Sequence, residues 1–600
     1  MNASQTAVRR TALRSLRSRQ WSRHASSAPP PPPPHPPQPS SGPSAARFIG
    51  YGVTFGAAAA GSYYYPTLKE IFMGDNAPME IPKAQPEFEK PRKIARSAEE
   101  NRELLSSQHL QVQKSWEHPG VYVWGSNVGQ VVDPESKDKY VKLPRRLKFF
   151  DDQLLRDLKL TQAFGAAINE KGDLVQWGLG FSNTDPSPVV TIKGKDLAKI
   201  DVSSDRIIAL SRNGTVYAIP SSRDDLGGLF KQPGKSSWSL WSSGQAAPSL
   251  RDITPGGLGW GEKVTDISSG LDHCLLLTSS GRVFAAASSS SDFPAKGQMG
   301  IPGLTWETRP KGHYDQPHEI SALKGFKATQ IATGDYHSAV LDNVGRIFTF
   351  GDNLYGQLGC EVDLSESFIT TPTILPINKL YKGIGLTPRV TGIMAGGNNL
   401  YFTVDSEASQ DAASTKSAAP ARRMPGITTD FWAAGQGVYG SLGTGRWTHV
   451  SQGPTKVKAL SSLFEFDEST NKLMPIKLKS VSVGATHCAA IMDNVTETSV
   501  ARRARGDNDV NWGADVVFWG GNEHYQLGTG KRSNQNAPVY IGPLDGGQGD
   551  SDKGRKGERH RLALTPRETA RLGEGGKGRK VTLEQKVECG RYVTGVYSSV

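Results

Sequence analysis

Apolar residues along this chain recur in short alternating runs closed by glycine, and few stretches carry a long helical period. The clearest run is GDYHSAVLDNVGRIFTFGDNLYGQLG at 334–359. It predicts a strand from His337 to Leu341, a polar turn ending at Gly345 and a second strand from Arg346 to Phe350. An exit loop follows through Gly351, Asn353 and Gly-Gln-Leu-Gly. Two strands joined by a glycine turn form a β-hairpin. The same template fits GLDHCLLLTSSGRVFAA from Gly270, SSDRIIALSRNGTVYAI from Ser203 and TQAFGAAINEKGDLVQWG from Thr161. The turn pairs Lys171-Gly172, Asn213-Gly214 and Ser280-Gly281 keep one offset, which identifies an internal repeat.

Two later copies are split by insertions. GGNNLYFTVD at 396 continues in FWAAGQGVYGSLGTG at 431, and GATHCAAIMD at 484 continues in VVFWGGNEHYQLGTG at 516. GRYVTGVYSSV from Gly590 supplies a first strand alone, and VYVWGSNVGQ at 121–130 supplies a second strand with its exit loop. First halves stand at 161, 203, 270, 334, 396, 484 and 590, and second halves at 121, 174, 215, 282, 346, 431 and 516. They pair off if the N-terminal strand completes the C-terminal blade, which removes the open edges of a linear array. The expected fold is all-β: a seven-bladed propeller over 119–600, closed by the N-terminal strand.

These repeats resemble the regulator of chromosome condensation family, whose pattern is G-x-x-H, an apolar strand, a glycine turn and an aromatic strand ending W/F-G-x-N-x-x-G-Q-L-G. The resemblance covers residues 120–600. WD repeats would place Trp-Asp at the strand end, whereas this chain has Trp-Gly at 124, 177 and 519. The family's histidine is replaced by Phe164, Arg206, Asn399 and Val593 in four copies.

Charge changes the picture mainly at the ends. The chain carries a net +12, but residues 1–47 hold seven arginines and no acid, and 551–580 hold ten basic residues against four acids. The rest is close to neutral, so the high pI is not the footprint of a nucleic-acid-binding body. Residues 1–28 match a mitochondrial transit peptide and lack a secretory apolar core. Residues 29–47 form a Pro-rich linker. Phe48 to Leu68 is uncharged over 21 residues, long enough for one transmembrane helix, with tyrosines near both ends. A polar stalk is expected at 69–118, with a short helix around 94–113. Inserts interrupt the propeller at 221–262, 406–430, 494–515 and 541–585.

Candidate chemistry is sparse. His273, His337 and His487 share one repeat offset and read as packed structural rings. Trp124, Trp177, Phe350 and Trp519 recur at strand ends and read as core packing within blades. Gly435 to Gly440 spells G-x-G-x-x-G, but no helix of the required period follows. Gly234-Lys235-Ser236 lacks the first glycine of a phosphate loop, since Leu229 stands there. Cys274, Cys360, Cys488 and Cys589 are too scattered for disulfides or a zinc ribbon. No catalytic, cofactor-binding or metal-ligating residue is assigned, and no enzyme activity is expected. A partner surface is assigned to Trp238 and Trp241, with Trp260 beside them, and to the basic cluster Lys553, Arg555, Lys556, Arg559 and Arg561.

Together with the leader and span, the chain resembles a fungal mitochondrial inner-membrane member of the family. That resemblance implies a non-enzymatic scaffold, tethered by a single span, that assists assembly or maintenance of respiratory-chain complexes, notably cytochrome bc1. Its implied partners are the inner membrane and respiratory-chain subunits or assembly factors. The alternatives are a guanine-nucleotide exchange factor for a mitochondrial GTPase and a mitoribosome or RNA biogenesis factor. The basic insert lacks interleaved aromatics, which argues against nucleic acid.

Overall fold

The computed structural model describes residues 107–229, 250–363, 365–408, 427–467, 472–494, 497–498, 510–544, 561–573 and 577–600. All of them belong to the compact unit Ala84–Val600. The expected leader, linker and span at 48–68, and most of the expected stalk, lie outside the described residues. Among the described residues no helix is long and apolar enough to cross a membrane.

The architecture is an all-β propeller. Each blade is built on four antiparallel strands and is named here by the residue at the repeat-histidine position; a parallel bridge from Leu155 to Ser599 joins the Phe164 and closing blades into one nine-stranded sheet, and Ala563–Leu564 adds a fifth strand to the His487 blade. The Phe164 blade is Leu155–Leu160, Gly165–Asn169, Leu174–Trp177 and Val189–Ile192. The Arg206 blade is Leu197–Val202, Arg206–Ser211, Val216–Pro220 and Arg251–Asp252. The His273 blade is Val264–Ser269, His273–Thr278, Val283–Ala287 and His318–Glu319. The His337 blade is Ala328–Thr333, His337–Asp342, Ile347–Asp352 and Phe368–Ile374. The Asn399 blade is Leu386–Gly396, Asn399–Ala408, Ile427–Gly435 and Thr455–Lys456. The His487 blade is Lys477–Val483, His487–Asp493, Ala514–Gly520 and Gln535–Val539.

The closing blade draws on both ends of the described chain. Lys580–Cys589 and Val593–Ser599 supply its inner half, Val121–Ser126 and Tyr140–Arg146 its outer half. Val121 pairs with Tyr597 and Trp124 with Thr594 in antiparallel register. The N-terminal strand therefore seals the C-terminal sheet with ordinary ladder bonds, as the repeat count requires.

The first strands of consecutive blades touch in cyclic order, the closing blade's strand returning to Leu155–Leu160. Six of these inner strands, from Leu155–Leu160 to Lys477–Val483, bulge at one repeated position. Beyond the bulge, side chains clasp the next blade's backbone. Asp157 accepts from Ile200 N–H at 2.9 Å, Asp201 from Ser269 at 2.8 Å and Ser268 from Thr333 at 3.1 Å. Gln330 accepts from Ile393 at 3.1 Å and Ser482 from Cys589 at 2.8 Å. Alternating strand direction gathers the second-to-third hairpins and the fourth-to-first connections on one face of the ring. The first-to-second turns and third-to-fourth exit loops lie on the other.

The expected inserts are narrower than their sequence limits. Segment 221–262 includes helix Arg223–Leu229 and the outer strand Arg251–Asp252. Segment 541–585 includes Ala563–Leu564, Glu568–Arg571 and the start of the closing blade's inner strand. Segment 406–430 begins and ends inside the Asn399 hairpin, and 494–515 holds the paired strands Glu497–Thr498 and Val510–Asn511. The hairpin template starts at each blade's second strand, so inner and outer strands fall outside it. At the end of the expected stalk, helix Ser107–Glu117 packs onto this region through the fully buried Val112. Gln111 bonds to Arg561 C=O and Ala563 N–H, and Ser115 bonds to Thr565.

Candidate functional site

The inner strands enclose an axial cavity of about 510 Å³, lined by Ser203, Ser268, Thr333, Ser480 and Ser482 among others. Its charged wall lies where the closing blade meets the Phe164 and Arg206 blades. Lys159 Nζ is 3.2 Å from Glu588 Oε1 and 3.8 Å from Asp201 Oδ1. Burial pushes Glu588 up to about 7, against the pull of Lys159. Burial also raises Asp157, whose carboxylate accepts from two backbone amides. Burial alone would lower Lys159, but Glu588, Asp201 and Asp157 outweigh it and hold the ammonium charged. This cluster ties three blades together.

At the exit-loop face, Arg591 Nη2 reaches from the closing blade across the cavity mouth to Asp335 Oδ1 at 2.8 Å. Lys296 sits 4.1 Å over the Tyr336 ring and 2.9 Å from Asp352. His524 packs against Tyr592 at 4.6 Å, and Tyr140 packs against His524 and Tyr525. Tyr355 and Tyr439 are half-buried in neighbouring exit loops, while Trp306, Trp447 and Leu354 stand exposed there.

The repeat histidines lie at the blade seams and are fully buried. His273 Nε2 is 2.9 Å from Ser338 Oγ, which donates to Gln298 C=O at 2.8 Å. His487 Nε2 is 2.7 Å from Thr594 Oγ1, which donates to Gln526 C=O at 2.6 Å. Because each hydroxyl gives its proton to a carbonyl, the ring must present Nε2–H. In each case the hydroxyl directly follows the repeat-histidine position of the next blade. After His337 that place is taken by Leu400, and the ring lies against the Asn399 backbone with neither nitrogen making a well-aligned hydrogen bond among the described residues. Burial lowers His337 to about 4 and His487 to about 3, so both rings are neutral near pH 7.

The strand-end aromatics are fully buried and also reach across the seam to the preceding blade. Trp124 Nε1 donates to Gln526 C=O at 2.8 Å, Trp177 to Val131 at 2.9 Å and Trp519 to Ser441 at 2.6 Å. Each acceptor belongs to the preceding blade's exit loop, because a buried indole N–H needs a partner and the loop carbonyls supply one. Phe350 lies under Gly300 of the preceding loop in the same way. Gly528 shows why these loops need glycine: its φ is +68°, and a Cβ there would lie 2.8 Å from Trp124 Nε1.

Of the assigned partner surface, Trp238, Trp241, Lys553, Arg555, Lys556 and Arg559 lie outside the described residues. Arg561 is half-buried, 3.0 Å from Asp515 and stacked over Tyr540. Trp260 is fully exposed on the hairpin face. Among the described residues no group of three or more His, Cys, Asp or Glu could hold a metal. Sequence reasoning missed the Lys159–Glu588 cluster and the Arg591–Asp335 pair, whose members are far apart in the chain and carry no motif.

Residues 328–357 match the family described as Regulator of chromosome condensation (RCC1) repeat. That segment is the His337 repeat unit, the one on which the blade template rests. Over a much longer stretch, 451 residues, the chain is 28% identical to "Protein FMP25, mitochondrial" of Saccharomyces cerevisiae, covering 71% of this chain and 66% of that protein's length. It is 23% identical over 382 residues to "RCC1 domain-containing protein RUG3, mitochondrial" of Arabidopsis thaliana, covering 62% of this chain and 72% of that one. Yeast RCC1 (Prp20) in its crystal structure bound to Kap60 overlays with a TM-score of 0.49 at 16% identity, over 86% of this chain and 96% of that chain.

Proposed function

We propose that this repeat protein is a seven-bladed, mitochondrial, membrane-tethered scaffold without catalysis of its own. It assists assembly or maintenance of respiratory-chain complexes, cytochrome bc1 among them. The observation that carries this reading is the exit-loop face. Tyr336, Tyr355, Tyr439 and Tyr592, with exposed Trp306, Trp447 and Leu354, share this face with a cavity mouth spanned by the Arg591–Asp335 pair. Tyrosine, tryptophan and arginine are enriched at the centres of protein contacts, the rings because they bury large area at small entropic cost and arginine because its planar fork makes several hydrogen bonds. The cyclic order of the inner strands supports the blade count. Likeness to two proteins whose names carry "mitochondrial" supports the compartment, and the uncharged 48–68 stretch supports the tether.

Affinity purification of the full chain from solubilised mitochondria tests this reading. Respiratory-chain subunits or assembly factors are expected with the native protein and lost with Trp306→Ala/Trp447→Ala. Loss of the gene is expected to deplete one respiratory complex while mitochondrial translation stays normal. Impaired translation would replace the scaffold with an RNA or ribosome role. Accelerated nucleotide release from a purified mitochondrial GTPase would replace it with an exchange factor.

A further inference from the structure

Lys263, Lys327 and Arg389 occupy one seat in three successive blades. Each directly precedes the residue at which its inner strand bulges, Val264, Ala328 and Val390. Each lies against the hairpin glycine of the blade before it, Gly214, Gly281 and Gly345. Backbone bonds from Ser279 N–H to Lys263 C=O and from Asn343 N–H to Lys327 C=O, both 2.9 Å, lock the first two in place. All three side chains are exposed, and among the described residues no ion pair joins any of them to a carboxylate.

At the seats on either side the charge is matched: Asp196 pairs with Arg156 and Lys477 with Asp405, both at 2.6 Å. Acids on the His273 and His337 blades are also engaged. Glu262 and Glu319 hold Arg282 at 3.1 and 2.8 Å, and Asp342 holds Arg346 at 2.6 Å. The arc is therefore a surplus of positive charge set by the repeat geometry. Lys324 and Lys382 add exposed ammonium groups on the same connections.

Apolar side chains stand out among these cations. Trp260 is 105% exposed, Val344 62% and Ile384 38%. Tryptophan beside lysine is the pairing that settles at a bilayer's headgroup layer, where the ring is half wet and the ammonium meets phosphate. The described chain also enters the propeller at this side. Helix Ser107–Glu117 leads into the hairpin-face end of Val121–Ser126, and residues 69–106 separate it from the uncharged 48–68 stretch.

We propose that the hairpin face rests on an anionic lipid bilayer, with Lys263, Lys327 and Arg389 on the headgroups and Trp260, Val344 and Ile384 in the interface. The exit-loop face then points away from the membrane. This deepens the tether reading, although the arc itself does not depend on a span at 48–68. Each cation near an anionic surface contributes roughly a fivefold gain in affinity, so the arc's hold falls steeply with salt.

The test uses the full chain reconstituted into vesicles of phosphatidylcholine alone or with added phosphatidylglycerol. A membrane-impermeant amine reagent is applied and read by mass spectrometry at Lys263 and Lys327, with Lys137 in an exit loop as reference. Labelling at the two seats is expected to fall about tenfold in the anionic vesicles only, and to recover in high salt. In Lys263→Glu/Lys327→Glu/Arg389→Glu, read at Lys324 and Lys382, protection is expected to disappear with the melting temperature unchanged. Equal labelling in both lipids, protection of Lys137 instead, or protection by added RNA without lipid would overturn the proposal. Alkaline extraction separates the two readings. A chain that is extracted yet protected has lost the span but kept the docking face, and one that is retained yet unprotected has done the reverse.

Discussion

Nε2 of His487 lies 2.7 Å from Oγ1 of Thr594, so a repeat histidine ties its own blade to the strand that closes the ring. His337 occupies the same position in its own blade, but Leu400 stands at the sequence position of the hydroxyl, and neither ring nitrogen makes a well-aligned hydrogen bond. Replacing His487 by Phe removes the N–H that Thr594 Oγ1 accepts while leaving that hydroxyl bonded to Gln526 C=O, and is expected to cost about 1 kcal/mol. His337→Phe removes an unsatisfied ring, in a repeat whose first copy already carries Phe164, and is expected to change stability by less than about 0.5 kcal/mol. Denaturant unfolding of the two variants checks this, and equal losses would refute the seam argument.

The closing strand is open to a direct test. Val123 pairs with Gly595 on one side and Arg145 on the other, so Val123→Pro removes a ladder donor from a central strand. A loss of about 3 kcal/mol or more is expected, together with new protease sensitivity at both ends of the described chain. A native-like melting curve would mean that the ring holds without this strand.

Trp124 anchors the seam between the His487 blade and the closing blade. Trp124→Phe keeps most of the ring's burial but leaves Gln526 C=O with the Thr594 hydroxyl as its remaining side-chain donor, at an expected cost of about 1 kcal/mol. Trp124→Ala also opens a cavity and is expected to cost about 3–5 kcal/mol. Thermal melts of the pair separate the hydrogen bond from the packing.

The channel wall predicts a pH dependence. Burial raises the Glu588 carboxyl from its ordinary 4.5 to about 7, so the folded protein holds that proton more tightly than the unfolded chain does. The stabilisation is complete below about pH 4.5 and is lost as pH rises through about 7. Relative to Glu588→Gln, the native protein is expected to lose up to roughly 3 kcal/mol between pH 4.5 and 8. Urea titrations of both proteins across that range measure the difference. A constant gap would show that the wall does not perturb this carboxyl.

The repeat hairpins were legible because each carries its own local pattern, as in His337–Asp342 and Ile347–Asp352. Closure was legible by counting halves. The inner strands were not, because LRDLKL at Leu155–Leu160 and KLKSVSV at Lys477–Val483 place charges and hydroxyls where a core strand would be apolar. Their partners lie on other blades. The two-residue outer strands Arg251–Asp252, His318–Glu319 and Thr455–Lys456 are too short to leave any period.

Local hydrophobic alternation and turn chemistry determined the repeat, its strands and the need for an N-terminal strand at the end of the chain, because those signals act over a few neighbouring residues. Tertiary structure decided what each polar group faces. Lys159 meets Glu588, Arg591 meets Asp335 and Trp124 meets Gln526 across separations of hundreds of residues. It also decided that Lys263, Lys327 and Arg389 stand in one row, because the ring carries equivalent repeat positions to the same face.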